Sequence, residues 1–225
     1  MKKLLIAFVA GVGLFCGSAK AQTTPVQIIG GTNSSASSRT VQGMVGIEIN
    51  GVGLALNDNA KDFAEDAFSA FTASAGIKFP KVSEKFGIGI SAFYQKSSKE
   101  DKSSNVYNLI SGRYGQLDTT LGYEAYGADV SLYIPVSKQI DITGNIGIGY
   151  YDFKLTGTES YVSDVYFLDF HEKHYGLRLG AGVEFKVIEN LAFTGNVRYV
   201  GFDYDDDEDS IKGLAEFGIG LKLYF

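Results

Sequence analysis

The side chains best suited to chemistry fall in two short runs. The chain's 2 histidines stand in His171-Glu172-Lys173-His174. Imidazole and carboxylate this close together could ligate a divalent ion or exchange protons. On a strand, however, residues three apart point to opposite faces, so the run reads as a polar rim segment rather than a metal site. Neither histidine stands in a His-x-Ser arrangement, so no hydrolase or acyltransferase pair is visible. The second run is Asp203-Tyr204-Asp205-Asp206-Asp207-Glu208-Asp209. A twelve-residue calcium loop needs Gly at its sixth place and Glu at its twelfth. Counted from Asp203, those places hold Glu208 and Leu214, so it is no EF-hand. The run is read as a solvated loop tip, with a looser divalent-cation contact as the alternative. Gly87-Ile88-Gly89 and Gly147-Ile148-Gly149 open no helix, which excludes dinucleotide loops. No catalytic, cofactor-binding or metal-ligating residue is assigned, and no cofactor is implied.

The elements that carry these runs show in the hydropathy pattern. From Val41 onward, apolar and polar residues alternate with period two, as in half-buried strands. In the last segment Ala215, Phe217, Ile219, Leu221, Leu223 and Phe225 share one face, and Leu214, Glu216, Gly218, Gly220, Lys222 and Tyr224 the other. Ile140–Tyr150 and Tyr175–Val187 repeat the pattern. Eight segments are predicted, at residues 41–56, 67–79, 86–98, 122–135, 140–155, 173–187, 191–204 and 213–225. The spacers at 80–85, 136–139 and 188–190 are short. Those at 57–66, 98–121, 156–172 and 205–212 are longer, and are expected to be loops, with a short helix within 62–70. Short turns at one end and long loops at the other describe an antiparallel up-and-down transmembrane barrel, and both chain ends are then expected on the periplasmic side.

The start of the chain supports export. Lys2 and Lys3 precede an apolar run ending near Cys16, and Ala19-Lys20-Ala21 has the form of a cleavage site. The reading divides the chain into a signal peptide at 1–21, a flexible Ser/Thr/Asn/Gly-rich lead-in at 22–40 and a barrel at 41–225. A lipoprotein reading through Cys16 is disfavoured by bulky Phe15 before it. Cys16 is the single cysteine, so a mature chain without it holds no disulfide or thiolate. Losing Lys2, Lys3 and Lys20 takes the formal charge from −6 to −9, a poor match for nucleic acid. No apolar stretch after the leader is long enough for a spanning helix.

Face composition decides which side is out. The polar faces carry Glu48, Asp129, Asp141, Glu184 and Glu216 against Lys78, Arg178, Lys186, Arg198 and Lys222. Balanced charge among small residues suits a narrow interior closed by ion pairs. The apolar faces place Phe79, Phe86, Phe185, Phe193 and Phe225 near the short turns and Tyr94, Tyr126, Tyr150, Tyr175 and Tyr199 near the long spacers. Two aromatic belts around an aliphatic band mark the two membrane interfaces.

With this rhythm over residues 41–225, and the ending Gly218-Ile219-Gly220-Leu221-Lys222-Leu223-Tyr224-Phe225, the chain resembles small eight-stranded outer-membrane proteins of the OmpA/OmpX type. In style it is similar to the outer membrane protein beta-barrel domain proteins of Bacteroidota. The terminal Phe225 with Leu223, Leu221 and Ile219 is similar to the signal read by the barrel-assembly machinery. The resemblance implies a monomer in the outer membrane of a Gram-negative bacterium, among lipid and lipopolysaccharide. It does not fix an activity, because such barrels include structural, adhesive, porin-like and enzymatic members. The leading expectation is a non-enzymatic protein with a structural or surface-interaction role through its long loops, toward an unknown extracellular ligand. A narrow porin is second, though inward Phe68, Phe93, Tyr133, Tyr151 and Arg178 argue against a wide channel. A lipid-directed enzyme or apolar-ligand carrier is third.

Overall fold

The computed structural model describes residues 41–56, 66–80, 82, 85–108, 113–160, 165–202 and 211–225. The leader at 1–21, the lead-in at 22–40 and the acidic run at 203–209 lie outside the described residues. Nine strands run β1 Gln42–Leu56, β2 Ala67–Phe79, β3 Gly87–Ser97, β4 Glu100–Asn108, β5 Arg113–Pro135, β6 Ile140–Ser160, β7 Val165–Ile188, β8 Leu191–Phe202 and β9 Ile211–Tyr224. Every pairing is antiparallel.

The pairings return on themselves. β1 joins β2 and β9, β2 joins β3, β3 joins β5, and β5 through β9 pair in order. That circuit has the eight members expected from the alternating segments. The ninth strand comes from a long spacer. β3 lies against the Glu124–Tyr133 portion of β5, and β4 against its Arg113–Leu121 portion, so β3 and β4 follow one path along β5 with a break at Ser98 and Lys99. Ser98 bridges the break: its N–H donates to Ser69 O at 2.6 Å and its hydroxyl to Glu100 at 2.7 Å.

Three expectations are corrected here. Residues 98–121 and 156–172, read as loops, are largely strand, because β4, β5, β6 and β7 continue past the barrel and satisfy their backbone groups on one another. The helix expected within 62–70 gives way from Ala67 onward to β2. There the alternation of Phe68, Ala70 and Thr72 as buried residues overrides helical propensity. The remaining residues of that stretch, 62–65, lie outside the described residues.

The alternation sorts the two faces as the composition implied. Ile49, Ile146, Ile148, Leu177, Phe217 and Ile219 are outward and at least half exposed, whereas Glu48, Asn50, Arg178 and Glu216 are buried. On the outside, Tyr94 pairs with Tyr126, Tyr126 with Tyr150, and Tyr150 with Tyr175, one tyrosine per strand across β3, β5, β6 and β7. Ring centroids lie 5.1 Å apart for Tyr126–Tyr150 and 5.3 Å for Tyr150–Tyr175. At the short-turn end Phe185 faces Phe193 across β7 and β8. On β3, β5, β6 and β7 the tyrosines thus form a cross-strand ladder in register, which strand propensity alone does not require. Tyr199, expected in the same belt, instead lies opposite Leu179 and Ala215, and Phe79 lies opposite Ile88.

Glycine is needed where an inward polar side chain lies flat against the wall. A Cβ on Gly147 would stand 2.0 Å from Asp129 Oδ1, and one on Gly218 2.2 Å from Asn50 Oδ1. Neither carboxylate nor amide could keep its place beside a larger residue.

Candidate functional site

The interior is built in layers. Nearest the short turns, Lys78 Nζ lies 3.3 Å from Asp141 and 3.1 Å from Glu184. Lys186 reaches Asp141 at 2.9 Å, Lys222 stands 3.7 Å from Glu184, and the Tyr224 hydroxyl donates to Glu184 at 2.6 Å. The Lys78 ammonium also sits 3.8 Å from the Tyr133 ring centroid, a cation–π contact. Around mid-height Arg198 bridges Glu48 at 2.5 Å and Glu216 at 3.2 Å. Asn196 donates to Glu48 and Gln95 to Glu216. Arg178 lies 3.2 Å from Asp129, donates to Tyr151, and stacks over Phe93 at 3.6 Å. All five acids and five bases assigned to the lumen thus find an opposite charge, the arrangement that burial demands.

Toward the other end the lumen changes chemistry. Val52, Leu54, Phe68, Leu121, Tyr123, Phe153, Val200, Phe202 and Leu214 form one buried apolar cluster with the rings of Tyr151 and Phe93. Phe202 packs against Tyr151 at 5.1 Å and Phe153 at 5.6 Å, and Tyr123 against Phe153 at 5.2 Å. This cap was not read from the sequence. Its signal was there, because inward positions near the long spacers hold Leu54, Leu121, Tyr151, Phe153 and Phe202, where those near the turns hold ions.

The histidines separate as the strand period requires. His174 faces inward, buried, stacked on Phe202 at 5.0 Å with Nε2 3.0 Å from Glu172. His171 faces outward, with Nε2 3.2 Å from Asp169 and Nδ1 3.9 Å from Asp152. Among the described residues no group of three or more His, Cys, Asp and Glu is placed to hold a metal ion.

A second region lies beyond the tyrosine row. There β4, β5, β6 and β7 form a four-stranded extension. β7 pairs with β6 from Val165 on but meets β8 only from Gly176, so 165–175 form an edge among the described residues. Along that edge Val165, Tyr166, Leu168 and Phe170 are exposed and Phe167 is 83% exposed. Within the sheet Asp118 of β5 accepts hydrogen bonds from Ser103 of β4 at 2.5 Å and from Gln116 at 2.9 Å, which hold its carboxyl below the usual aspartate range. Lys96 and Glu124 pair just past the tyrosine row.

A ring of antiparallel strands, apolar outside between two aromatic belts and ionic within, defines a transmembrane β-barrel of the outer membrane. The chain belongs to the family described as outer membrane protein beta-barrel domain, whose profile matches residues 7–225. Among solved structures it is similar to a major outer membrane protein from Thermus thermophilus, with 12% identity, a TM-score of 0.52, and 81% of this chain and 99% of that one covered. OprG from Pseudomonas aeruginosa matches with 14% identity, a TM-score of 0.48, and coverage of 83% and 97%. Ail, the attachment invasion locus protein of Yersinia pestis, matches with 13% identity, a TM-score of 0.44, and coverage of 82% and 97%. At such identities the likeness concerns the fold. Comparison with curated proteins gives no match.

Proposed function

We propose that this outer-membrane barrel is non-enzymatic and acts at the cell surface through the β4–β7 extension. The observation that carries the reading is the apolar, exposed edge of β7. Among the described residues β7 before Gly176 pairs with β6 alone, a one-sided pairing that can take an incoming strand, and exposed Phe167, Leu168 and Phe170 supply apolar area beside it. Such a run in water is a liability unless something uses it. In this reading the extension faces outward, the short turns face the periplasm, the barrel works as a monomer assembled by the barrel-assembly machinery, and the ligand is an extracellular surface.

The test compares attachment of cells displaying the wild type or Phe167→Ser/Leu168→Ser to protein-coated surfaces and to one another. Attachment is expected to fall for the variant while heat-modifiable gel mobility, which reports the folded barrel, stays the same. Unchanged attachment overturns the reading. Lipid A mass spectra from cells with and without the protein are expected to match, and a difference would favour a lipid-directed enzyme. The narrow-porin alternative has less support, because an eight-membered ring encloses little beyond its own inward side chains, and here an apolar cluster that includes Phe153, Val200, Phe202 and Leu214 fills one end of it.

A further inference from the structure

We propose that the barrel is a latent pore, shut by the apolar cap and not by the ion pairs beneath it. From the short-turn end up to the cap, the lumen is lined mainly by polar groups, with Met44, Ala192 and the Tyr224 ring as a small apolar cluster among them. It begins at a cavity of about 590 Å³ lined in part by Lys78, Tyr133, Asp141, Lys186 and Tyr224. Past the first ionic layer comes a small cavity of about 20 Å³ bordered by Glu184, Thr194, Asn196 and Arg198. One water needs roughly 10–15 Å³ of such space and two to four polar partners.

The partners are present. Glu184 Oε2, Thr194 Oγ1 and Asn196 Oδ1 are buried and have no hydrogen-bond partner among the described residues. Two acceptors and a hydroxyl match a water that donates twice and accepts once. Gln95 Oε1, Arg178 Nη2 and Arg198 Nε, higher up, are also buried without one. Leaving so many polar groups dry would be costly, whereas a hydrated lumen satisfies them.

The ions there are also exchangeable. Arg198 is shared between Glu48 and Glu216, and Lys78 between Asp141 and Glu184, so each cation can lean on one partner while it leaves the other. The cap has no such alternative. Val200 and Leu214 are fully buried, Phe153 nearly so, and Phe202 is ringed by aromatics. A constriction of this kind blocks ions by excluding water.

The test is conductance of purified protein in planar bilayers. The wild type is expected to be silent. Phe153→Ala/Phe202→Ala, which opens the cap, is expected to change silence into steady unitary steps. Val200→Thr/Leu214→Asn, which wets the cap at nearly constant volume, should do the same and covers the case in which the first variant does not fold. Glu216→Gln, which weakens an ion pair under an intact cap, is expected to stay silent. Silence from folded cap variants overturns the proposal, as do steady steps from the wild type or from Glu216→Gln.

Discussion

The barrel and the extension above it are made from the same strands yet obey different rules. Within the barrel each strand is paired on both sides, one face meets lipid and the other a narrow ionic or aromatic lumen. In the extension β4 and β7 are edges among the described residues, and both faces of β7 from Val165 to Phe170 are exposed. Alternation in a sequence is thus a record of two different solvents on the two faces of a strand. Where the solvents become alike, the strand persists through its hydrogen bonds but the period fades.

The comparison predicts large penalties in the barrel and small ones above it. The greatest belongs to Arg198→Leu, which strands Glu48 and Glu216 in the lumen. It should destabilise the protein by about 3–5 kcal/mol in urea titrations of barrels refolded into vesicles. A loss comparable to a surface substitution would mean that the few lumenal waters solvate the two carboxylates as well as the guanidinium does. Next comes Ile146→Arg on the lipid face, expected to cost about 2–4 kcal/mol near the midplane. Asn145→Asp, one residue away but inward, should be milder, and equal penalties would show the assigned faces to be wrong. In the extension, Phe167→Ser should move stability by no more than about 0.5 kcal/mol, since the side chain is largely exposed among the described residues, whatever it does to attachment. A larger loss would show that the β7 edge supports the barrel.

The smallest effect concerns pH. Hydrogen bonds from Ser103 and Gln116 depress the Asp118 pKa below its reference value of 3.8. A depressed carboxylate contributes stability that is fully present above its unfolded pKa and is lost as pH falls through the folded one. Amide protection in β4 should therefore weaken selectively in that acid range and become insensitive to it in Asp118→Asn. Identical acid responses in the two proteins would exclude this contact as the cause.

What could be read from the residues follows the same division. The eight alternating segments, their phase, the ten lumenal charges and four of the five belt tyrosines were legible, because lipid outside and ions inside impose a period of two. β4 was not. Glu100-Asp101-Lys102-Ser103-Ser104 is polar on both faces and reads as a loop until its register with β5 is seen. The outer part of β6, Thr156-Gly157-Thr158-Glu159-Ser160, was hidden in the same way, and that of β7 for the opposite reason, since Val165-Tyr166-Phe167-Leu168 is apolar at consecutive positions. The cap was obscured because Leu54 and Phe153 face inward where a polar side chain was expected, so both faces of the wall are apolar there.

The seam between β1 and β9 sets a timetable. Its register runs from Met44 opposite Tyr224 to Leu56 opposite Ile211, which joins the earliest and latest strands of the ring. Every other seam links neighbours in the chain, apart from the short detour of β4, and can form as its hairpin arrives. This one must wait for β9, and until then β1 and the growing front each carry an open row of amides and carbonyls. A ring of this kind is exposed to unwanted strand addition for nearly the whole of its assembly, and loses that exposure in one closing step.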